Sequence, residues 1–209
     1  MALVLVVYPP GAGGNHLKNL LCLPGKFANS DDLDPAVYDF TDSLRANGEV
    51  WMKGGRNLQD VFFDRMDHAV DQDWILPAHF GELRQYHSRL DGIAHKQIVL
   101  ITIDTVKDRR MLDNRQMRLG QAIHPYWLDE ELIWLYQPET YDRFFNIAPQ
   151  ACQSISLQAL WSREFVDEES LARIEKFLDI TVPRDQARLL HHKWHKTNFA
   201  QFDPNQNLQ

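Results

Sequence analysis

The sequence has few cysteines, and its opening segment lacks the marks of a secretory signal. Its 209 residues include two cysteines, Cys22 and Cys152, and no Cys-x-x-Cys pair. Two scattered cysteines are typical of buried small side chains in a reducing compartment rather than of a disulfide scaffold. The opening MALVLVVYPP has neither a basic start nor a small-residue cleavage site. We therefore expect a cytoplasmic protein.

Long apolar runs and an excess of basic charge are also missing. No segment approaches the ~20 consecutive apolar residues of a membrane helix, so no membrane partner is expected. The chain carries 22 basic and 29 acidic residues, whereas general nucleic-acid binders have the opposite balance. A hydrophobic fraction of 44% allows a sizeable core and indicates a folded protein rather than a disordered or fibrous one.

Apolar runs and helical periodicities alternate along the chain. Four runs predict buried strands, at Leu3 to Tyr8, around Trp74 to Leu76, at Ile98 to Ile103 and around Ser154 to Leu160. This alternation predicts an α/β protein with a parallel sheet covered on both faces. We expect one domain over residues 1–209, with a polar insertion around 28–55 and a frayed tail near 203–209. The predicted helices are His16 to Leu23, Asn57 to Val70, Asp108 to Leu119, Asp129 to Tyr136, Glu168 to Leu178 and Arg184 to Lys196.

The clearest functional pattern is the segment PPGAGGNHLKNLL, which connects the first strand to the first helix. Glycines let a backbone turn tightly and bring its N–H groups to one spot. The start of the helix adds free N–H groups and a dipole that favours an anion. Asn15 offers a side-chain donor, and Lys18 offers a positive charge one turn into the helix. The pattern predicts a phosphate-binding loop for a nucleotide-like ligand.

Two common phosphate-binding motifs do not fit this loop. A Walker loop requires G-x-x-x-x-G-K-[ST], but His16 stands five residues after Gly11, and Asn19 follows Lys18. A dinucleotide fingerprint requires G-x-G-x-x-G, and its third glycine position is again His16. These departures disfavour a standard ATPase and a Rossmann dehydrogenase.

The segment PGAGGNHLKNLL resembles the 5′-phosphosulfate loop of the sulfotransferases, in the P-K-T-G-G-T-S-L-[RK]-x-L-L form of the carbohydrate sulfotransferases. Gly11 stands at the position of the family's loop Lys, which helps to bind the phosphosulfate and stabilise the leaving group. The resemblance implies a P-loop-type three-layer α/β sandwich with a central parallel sheet of about four to five strands. It also implies that 3′-phosphoadenosine 5′-phosphosulfate is the donor, held by Gly11, Ala12, Gly13, Gly14, Asn15, His16 and Leu17.

Two further segments resemble the family more weakly. Lys107-Asp108, after the third strand, is similar to the family's Arg-Asp pair, which precedes a serine by about eight residues. The resemblance assigns Lys107, Arg109 and Arg115 to the 3′-phosphate, and cations beside a strand end suit a phosphate. A solvated, charged helix start gives the same pattern.

Three side chains are candidates for the catalytic work. His79 follows the second predicted strand, where a histidine can accept the proton of an attacking hydroxyl, although a structural histidine fits there too. His16 is the alternative base, and either His16 or Lys18 is a candidate to replace the missing loop Lys. His191 and His195 stand four residues apart, but no Glu or Cys completes a zinc motif, so no metal is expected.

These assignments lead to the hypothesis of a transferase that moves a sulfuryl group from the phosphosulfate donor to a hydroxyl acceptor, either a small molecule or a glycan. Nucleic acid is not an expected partner, and the sequence indicates no oligomeric state. Two alternatives stay open. One is a divergent P-loop nucleotide or nucleoside kinase, which needs magnesium and a phosphate-binding Lys. The other is a non-catalytic nucleotide-binding interaction protein that has kept the loop.

Overall fold

The computed structural model describes residues 2–9, 11–28, 73–118 and 137–199. Within these residues, strands and helices alternate along the chain, and a 3₁₀ turn at Pro149–Ala151 precedes the last strand. In chain order, the elements are β1 (Leu3–Val7), α1 (Gly14–Cys22), β2 (Phe27–Ala28), β3 (Asp73–Ala78), α2 (Phe80–Gln85), α3 (His87–Asp91), β4 (Lys96–Thr102), α4 (Val106–Arg118), α5 (Pro138–Phe145), β5 (Cys152–Ser156), α6 (Leu157–Leu160), α7 (Glu168–Leu178) and α8 (Arg184–Phe199).

The strands form one sheet in the order β2-β3-β1-β4-β5, and each neighbouring pair is parallel. The central strand is β1, in which Leu5 lies opposite Leu76 of β3 on one side and Ile98 of β4 on the other. Every residue of β1 is buried, as expected of a parallel strand covered on both faces. The structure confirms the predicted P-loop-type α/β sandwich with a central parallel sheet.

Two hydrophobic cores lie on opposite faces of the sheet, because successive side chains of a strand point in opposite directions. Val4 and Val6 of β1 face the first core, which α1, α4, α6, α7 and α8 cover. Leu3, Leu5 and Val7 face the second core, which α2, α3 and α5 cover. The sheet is therefore the middle of three layers.

The carboxyl ends of β1 and β3 lie beside a crevice. The chain leaves β1 towards the face that carries α1, whereas it leaves β3 towards the opposite face, which carries α2. Neighbouring parallel strands whose connections diverge in this way open a crevice at their carboxyl ends, where ligands of such sheets bind. The glycine loop after β1 and His79 after β3 both lie at this point.

Several sequence predictions differ from the structure in their bounds. The predicted strand at Ser154 to Leu160 is wrong in its second half, because Ser156 accepts a hydrogen bond from the Ala159 N–H at 3.2 Å and starts α6. Helices α2 and α3 and the two-residue strand β2 were not predicted. The predicted helices at Asn57 to Val70 and Asp129 to Tyr136 lie outside the described residues, as does nearly all of the proposed insertion and the whole tail.

The structure bears on two further predictions, which concern membrane-spanning helices and the two cysteines. In the part of the chain that the structure describes, no helix combines the length and the apolar character needed to cross a membrane. Cys22 and Cys152 do not form a disulfide. Burial, helped by the nearby Asp142 and Glu139 carboxylates, raises the pKa of the Cys152 thiol to about 12. Cys152 is therefore a neutral thiol at physiological pH and a poor nucleophile.

Candidate functional site

The glycine loop begins with a tight turn after β1. The Ala12 N–H donates a hydrogen bond to the Pro9 carbonyl at 3.0 Å, which closes a four-residue turn. Gly11, the third residue of this turn, has a φ of 84°. A type II turn requires a positive φ at that position, and glycine adopts it without steric cost. The turn explains why a glycine stands at position 11.

The backbone of the loop alternates in handedness. Gly13, at the start of α1, has a φ of 91°, while Ala12 between the two glycines does not have a positive φ. Such alternation can turn successive backbone N–H groups towards one concave side, as in the anion-binding nests of other proteins. We call this stretch of the loop the nest. Gly14 is required for a different reason, because a Cβ there would overlap the ring of Tyr8.

The positive end of α1 has no side-chain cap among the described residues. The first turn of the helix contains no acidic residue. The N–H groups of this turn and the helix dipole therefore favour an anion at the nest. Asn15, the second residue of the helix, is exposed. Both features are typical of loops that bind a phosphate or sulfate group.

Aromatic side chains from the C-terminal part of the chain pack against the side of the loop that faces the first core. Trp161, directly after α6, donates its indole N–H to the Ala12 carbonyl at 2.9 Å. A Cβ on Gly13 would lie 2.9 Å from the ring of Trp194 in α8. The ring of His16 stacks on Trp194 with a centroid distance of 4.1 Å and an interplanar angle of 3°. We call Trp161, Trp194 and His191 the loop support.

The third member of the loop support, His191, has a fixed tautomer. Its Nε2 lies 2.7 Å from the Ser162 carbonyl, and because a carbonyl only accepts, Nε2 carries the proton. Its Nδ1 therefore accepts a hydrogen bond from His16 Nε2 at 3.0 Å. Burial, reinforced by His195 and His192, lowers the pKa of His191 to about 4. His191 is therefore neutral at physiological pH.

His16 is turned away from the mouth of the loop. Its side chain is 4% exposed, and its ring contacts are with His191 and Trp194 of α8. Lys18 is likewise buried, at 2% exposure, as are Leu17 and Ala12. Of the predicted loop residues, the exposed or half-exposed ones are Gly11, Gly13 and Asn15. The backbone of the loop and the Asn15 side chain are therefore more accessible to a ligand than the side chains of His16 and Lys18.

His79 lies at the carboxyl end of β3, beside the start of the loop. Its Nδ1 is 3.0 Å from the Tyr8 carbonyl, and its ring lies against the Tyr8 ring at 4.6 Å. Nδ1 must donate to the carbonyl, so in the neutral ring Nε2 is the nitrogen that carries the lone pair. This tautomer is the one in which Nε2 can accept a proton, and the backbone holds the ring in it.

The start of α4 forms the neighbouring edge of the site. The Asp108 Oδ2 atom accepts hydrogen bonds from the Asp104 N–H at 3.1 Å and from the Thr105 N–H and hydroxyl at 2.9 Å each. The Asp108 N–H in turn donates to Thr105 Oγ1 at 3.1 Å. This reciprocal capping fixes where α4 begins. It leaves Lys107 exposed in the first turn, next to the carboxyl end of β4.

The other two basic residues predicted for the 3′-phosphate are placed differently. Arg109 is half-buried and lies 3.9 Å from Asp113, four residues along the same helix. Arg115 belongs to the third turn of α4, and its side chain lies outside the described part of the structure. Lys107 and Arg115 are about 12 Å apart along the helix axis. Lys107 is thus the basic residue of this segment that is nearest to the strand end.

The histidines of α8 are not grouped with further metal ligands in the part of the chain that the structure describes. No group of three His, Cys, Asp or Glu side chains suited to a metal ion occurs among residues 2–9, 11–28, 73–118 and 137–199. His191 uses both ring nitrogens in hydrogen bonds to Ser162 and His16. Burial and the nearby Arg163 and His192 lower the pKa of His195. Structural hydrogen bonding and burial therefore describe this cluster.

The loop support was not predicted from the sequence. Trp161 and Trp194 lie 149 and 181 residues after Ala12 and Gly13 respectively, and nothing in the loop itself indicates an aromatic partner. The mixture of histidines, lysines and a tryptophan in α8 was the only sequence signal, and it fits a surface helix equally well. The fold brings these residues to the loop because α1 and α8 cover the same face of the sheet.

No family model and no curated protein matches this chain. The class of protein is therefore defined by the fold and the loop. The chain is a P-loop-type α/β protein, with a glycine-rich nest at the start of α1 and a histidine at the adjoining strand end.

Proposed function

We propose that this protein is a sulfotransferase-like enzyme that transfers a sulfuryl group from 3′-phosphoadenosine 5′-phosphosulfate to a hydroxyl acceptor. The observation that carries the proposal is the nest at Gly11 and Gly13, followed by a helix start that none of the described side chains caps. An anion of two linked tetrahedral groups suits such a cradle of backbone N–H groups. The nest lies at the crevice of a parallel sheet, where nucleotide ligands of α/β proteins bind.

His79 is the group best suited to act as the base. It lies beside the loop, and its hydrogen bond to the Tyr8 carbonyl favours the tautomer with a lone pair on Nε2. In the proposed reaction, the acceptor oxygen attacks sulfur and its proton passes to His79 Nε2. The bond between sulfur and the bridging oxygen breaks, and adenosine 3′,5′-bisphosphate leaves with the electron pair. The N–H groups of the nest stabilise the charge that develops on the 5′-phosphate.

The chain lacks the loop Lys, so the backbone and the helix dipole must hold the 5′-phosphate largely by themselves. Lys107, exposed in the first turn of α4, is the residue that we assign to the 3′-phosphate. It follows β4, the neighbour of β1, so it stands at the same edge of the sheet as the loop. The electrostatic contribution to binding is then spread over two helix starts.

A kinase is the less favoured alternative. P-loop kinases and ATPases hold magnesium with a Ser or Thr hydroxyl of the loop and position the phosphates with a loop Lys. The segment from Gly11 to Leu17 contains neither a hydroxyl nor a Lys, and Lys18 is buried. A sulfuryl donor needs no magnesium in the mechanism above, so the residues present fit it better.

The first experiment measures binding of adenosine 3′,5′-bisphosphate by calorimetry, with ATP and magnesium in parallel. Asn15→Asp is the test variant, because Asn15 is exposed in the first turn of α1. A carboxylate at a helix start stabilises the helix, so the fold should be retained, but it repels an anion at the nest. Gln186→Glu, exposed near the start of α8, adds the same charge at another helix and serves as the control.

The proposal expects micromolar binding of the bisphosphate, a loss of at least about tenfold in Asn15→Asp, and wild-type affinity in Gln186→Glu. Incubation with the phosphosulfate donor and a panel of small-molecule and glycan hydroxyls should then give a sulfated product. Binding of ATP with magnesium alone would replace the proposal with the kinase. Binding of the bisphosphate without turnover of any acceptor would favour the non-catalytic interaction protein.

A further inference from the structure

Trp161 is held in a defined position at the end of β5. Ser156, the last residue of β5, caps the single turn α6 through its hydroxyl. The Trp161 backbone N–H closes this turn by donating to the Leu157 carbonyl at 2.9 Å. The side chain is 3% exposed and packs in the same core as α1 and α8. The direction of its indole N–H is thus set by a strand end and a capped helical turn.

Ala12, the partner of Trp161, is bonded on both sides of its backbone. Its N–H donates to the Pro9 carbonyl at 3.0 Å, and its carbonyl accepts from Trp161 Nε1 at 2.9 Å. Its side chain is fully buried. The two hydrogen bonds therefore fix the planes of the peptide units before and after Ala12.

The second of these peptide units contains the Ala12 carbonyl and the Gly13 N–H. In a trans peptide the C=O and N–H bonds point in opposite directions, and no cis peptide occurs in the described residues. Since the carbonyl points to the buried Trp161, the Gly13 N–H points away from Trp161. Rotation of this peptide changes the ψ of Ala12 and the φ of Gly13, and Gly13, with a φ of 91°, has the freedom to let the peptide turn over. The Trp161 bond opposes that rotation.

We propose that Trp161 is a positioning residue for the anion site, and that its indole N–H holds the Gly13 N–H in the direction in which it binds the 5′-phosphate. The inference rests on the proposed function for the identity of the ligand, but not for the anion site itself. Trp161 does not contact the anion. It acts through the Ala12 carbonyl and lowers the cost of organising the loop for binding.

The test compares forms of the full chain with and without the indole N–H at position 161. Trp161→Phe removes the N–H together with some volume. Replacement of Trp161 by 3-benzothienylalanine puts sulfur in place of the N–H and keeps the shape, so it decides the test if Trp161→Phe does not fold. Replacement by 7-azatryptophan keeps both shape and N–H. Trp74→Phe, at the amino end of β3 and so far from the loop, is the control for loss of an indole.

The probe is inorganic pyrophosphate, with affinity measured by calorimetry and the Gly13 amide followed in nitrogen–proton correlation spectra. We expect pyrophosphate to shift the Gly13 amide in the wild type. The two forms without the N–H should bind about tenfold more weakly, while 7-azatryptophan and Trp74→Phe keep wild-type affinity. A purely structural role for Trp161 would lower thermal stability in the N–H-free forms without this loss of affinity.

Two results would overturn the inference. One is wild-type pyrophosphate affinity in the benzothienyl form, which would leave the proposed function standing. The other is a wild type whose Gly13 amide does not respond to pyrophosphate, since the Gly13 N–H would then not be an anion donor. Pyrophosphate binding that depends on the indole N–H, together with no binding of adenosine 3′,5′-bisphosphate, would support the inference and contradict the proposed function.

Discussion

His79 has one ring nitrogen committed to the backbone and the other suited to accept a proton. The change His79→Asn removes Nε2, while the shorter amide N–H is expected to keep the hydrogen bond to the Tyr8 carbonyl. If His79 is the base, the turnover rate with an acceptor from the hydroxyl panel should fall by about 10²–10⁴-fold. The affinity for adenosine 3′,5′-bisphosphate should change by less than about twofold, because the proton transfer is absent from product binding.

The matched control for His79→Asn is His95→Gln. His95 is exposed just before β4, at the amino edge of the sheet, so this change should leave both turnover and affinity unaltered. An equal fall in affinity and turnover for His79→Asn would mean that His79 organises the loop rather than moves a proton. Sulfated product is measured by transfer of labelled sulfate from the donor.

At the residue scale, the sequence predicted the glycine loop but did not predict the loop support. Gly11 and Gly13 could be expected to take positive φ, because a phosphate loop after a buried strand requires it. The orientation of His16 could not be predicted. The choice between facing the ligand and facing the core depends on Trp194 and His191, which the fold brings from the other end of the chain.

Helix α8 carries a buried neutral histidine, and this makes its docking sensitive to acid. His191 has a pKa of about 4 in the folded chain against an ordinary value of 6.5. Between these values the unfolded chain binds the proton and the folded chain does not, so stability falls as pH drops from 6.5 to 4. Below 4 both states are protonated and the penalty no longer grows. The full difference is about 3 kcal/mol of unfolding free energy.

The change His191→Gln should flatten this dependence. The variant should be less stable than the wild type at pH 7, since it loses the acceptor for His16 Nε2. Its unfolding free energy should nevertheless decline less between pH 6.5 and 4, because glutamine binds no proton. Urea unfolding at a series of pH values measures both effects. His95→Gln, exposed just before β4, should keep the wild-type slope, and an unchanged slope in His191→Gln would contradict the assignment.

At the element scale, the predicted bounds of helices and strands agree best with the structure where the local sequence signal is strong. The predicted helix from Glu168 to Leu178 has the observed bounds of α7, because Asp167 caps it by accepting from the Ser170 N–H at 2.9 Å. The predicted last strand is too long, because Leu157 and Leu160 belong to a helical turn. In so short an apolar segment, periodicity does not distinguish a helical turn from a strand. Helices α2 and α3 have five or six residues each, too few for a clear helical period.

At the scale of the whole molecule, the proposed anion site depends on elements from both ends of the described chain. Strand β1 and α1 supply the nest, β3 supplies His79, and α6 and α8 supply the loop support. The alternation of strands and helices was sufficient to predict the layers. It did not give the strand order, which places β1 between β3 and β4, because strand order depends on long-range pairing that local patterns do not encode.

This arrangement predicts that the chain unfolds as one unit, as a single domain over residues 1–209 should. Both cores contain side chains of β1, so the loss of either core exposes the strand that carries the loop. Tryptophan fluorescence and far-ultraviolet circular dichroism should therefore report coincident thermal transitions. Adenosine 3′,5′-bisphosphate at 100 times its Kd should stabilise the folded state by about 2.7 kcal/mol. In a chain of this length, that corresponds to a rise in Tm of about 5–10 °C.

The bisphosphate should raise the Tm reported by tryptophan fluorescence and the Tm reported by circular dichroism by the same amount. In Asn15→Asp, a tenfold loss of affinity should reduce the stabilisation at the same concentration of the bisphosphate to about 1.4 kcal/mol, so the rise in Tm should be about half that of the wild type. Gln186→Glu should show the full wild-type rise. Two separate transitions, with only one of them moved by the ligand, would mean that the loop and its support belong to units that unfold independently. In that case α8 would still contact His16 in the native state, but ligand binding would stabilise only the unit that contains the loop.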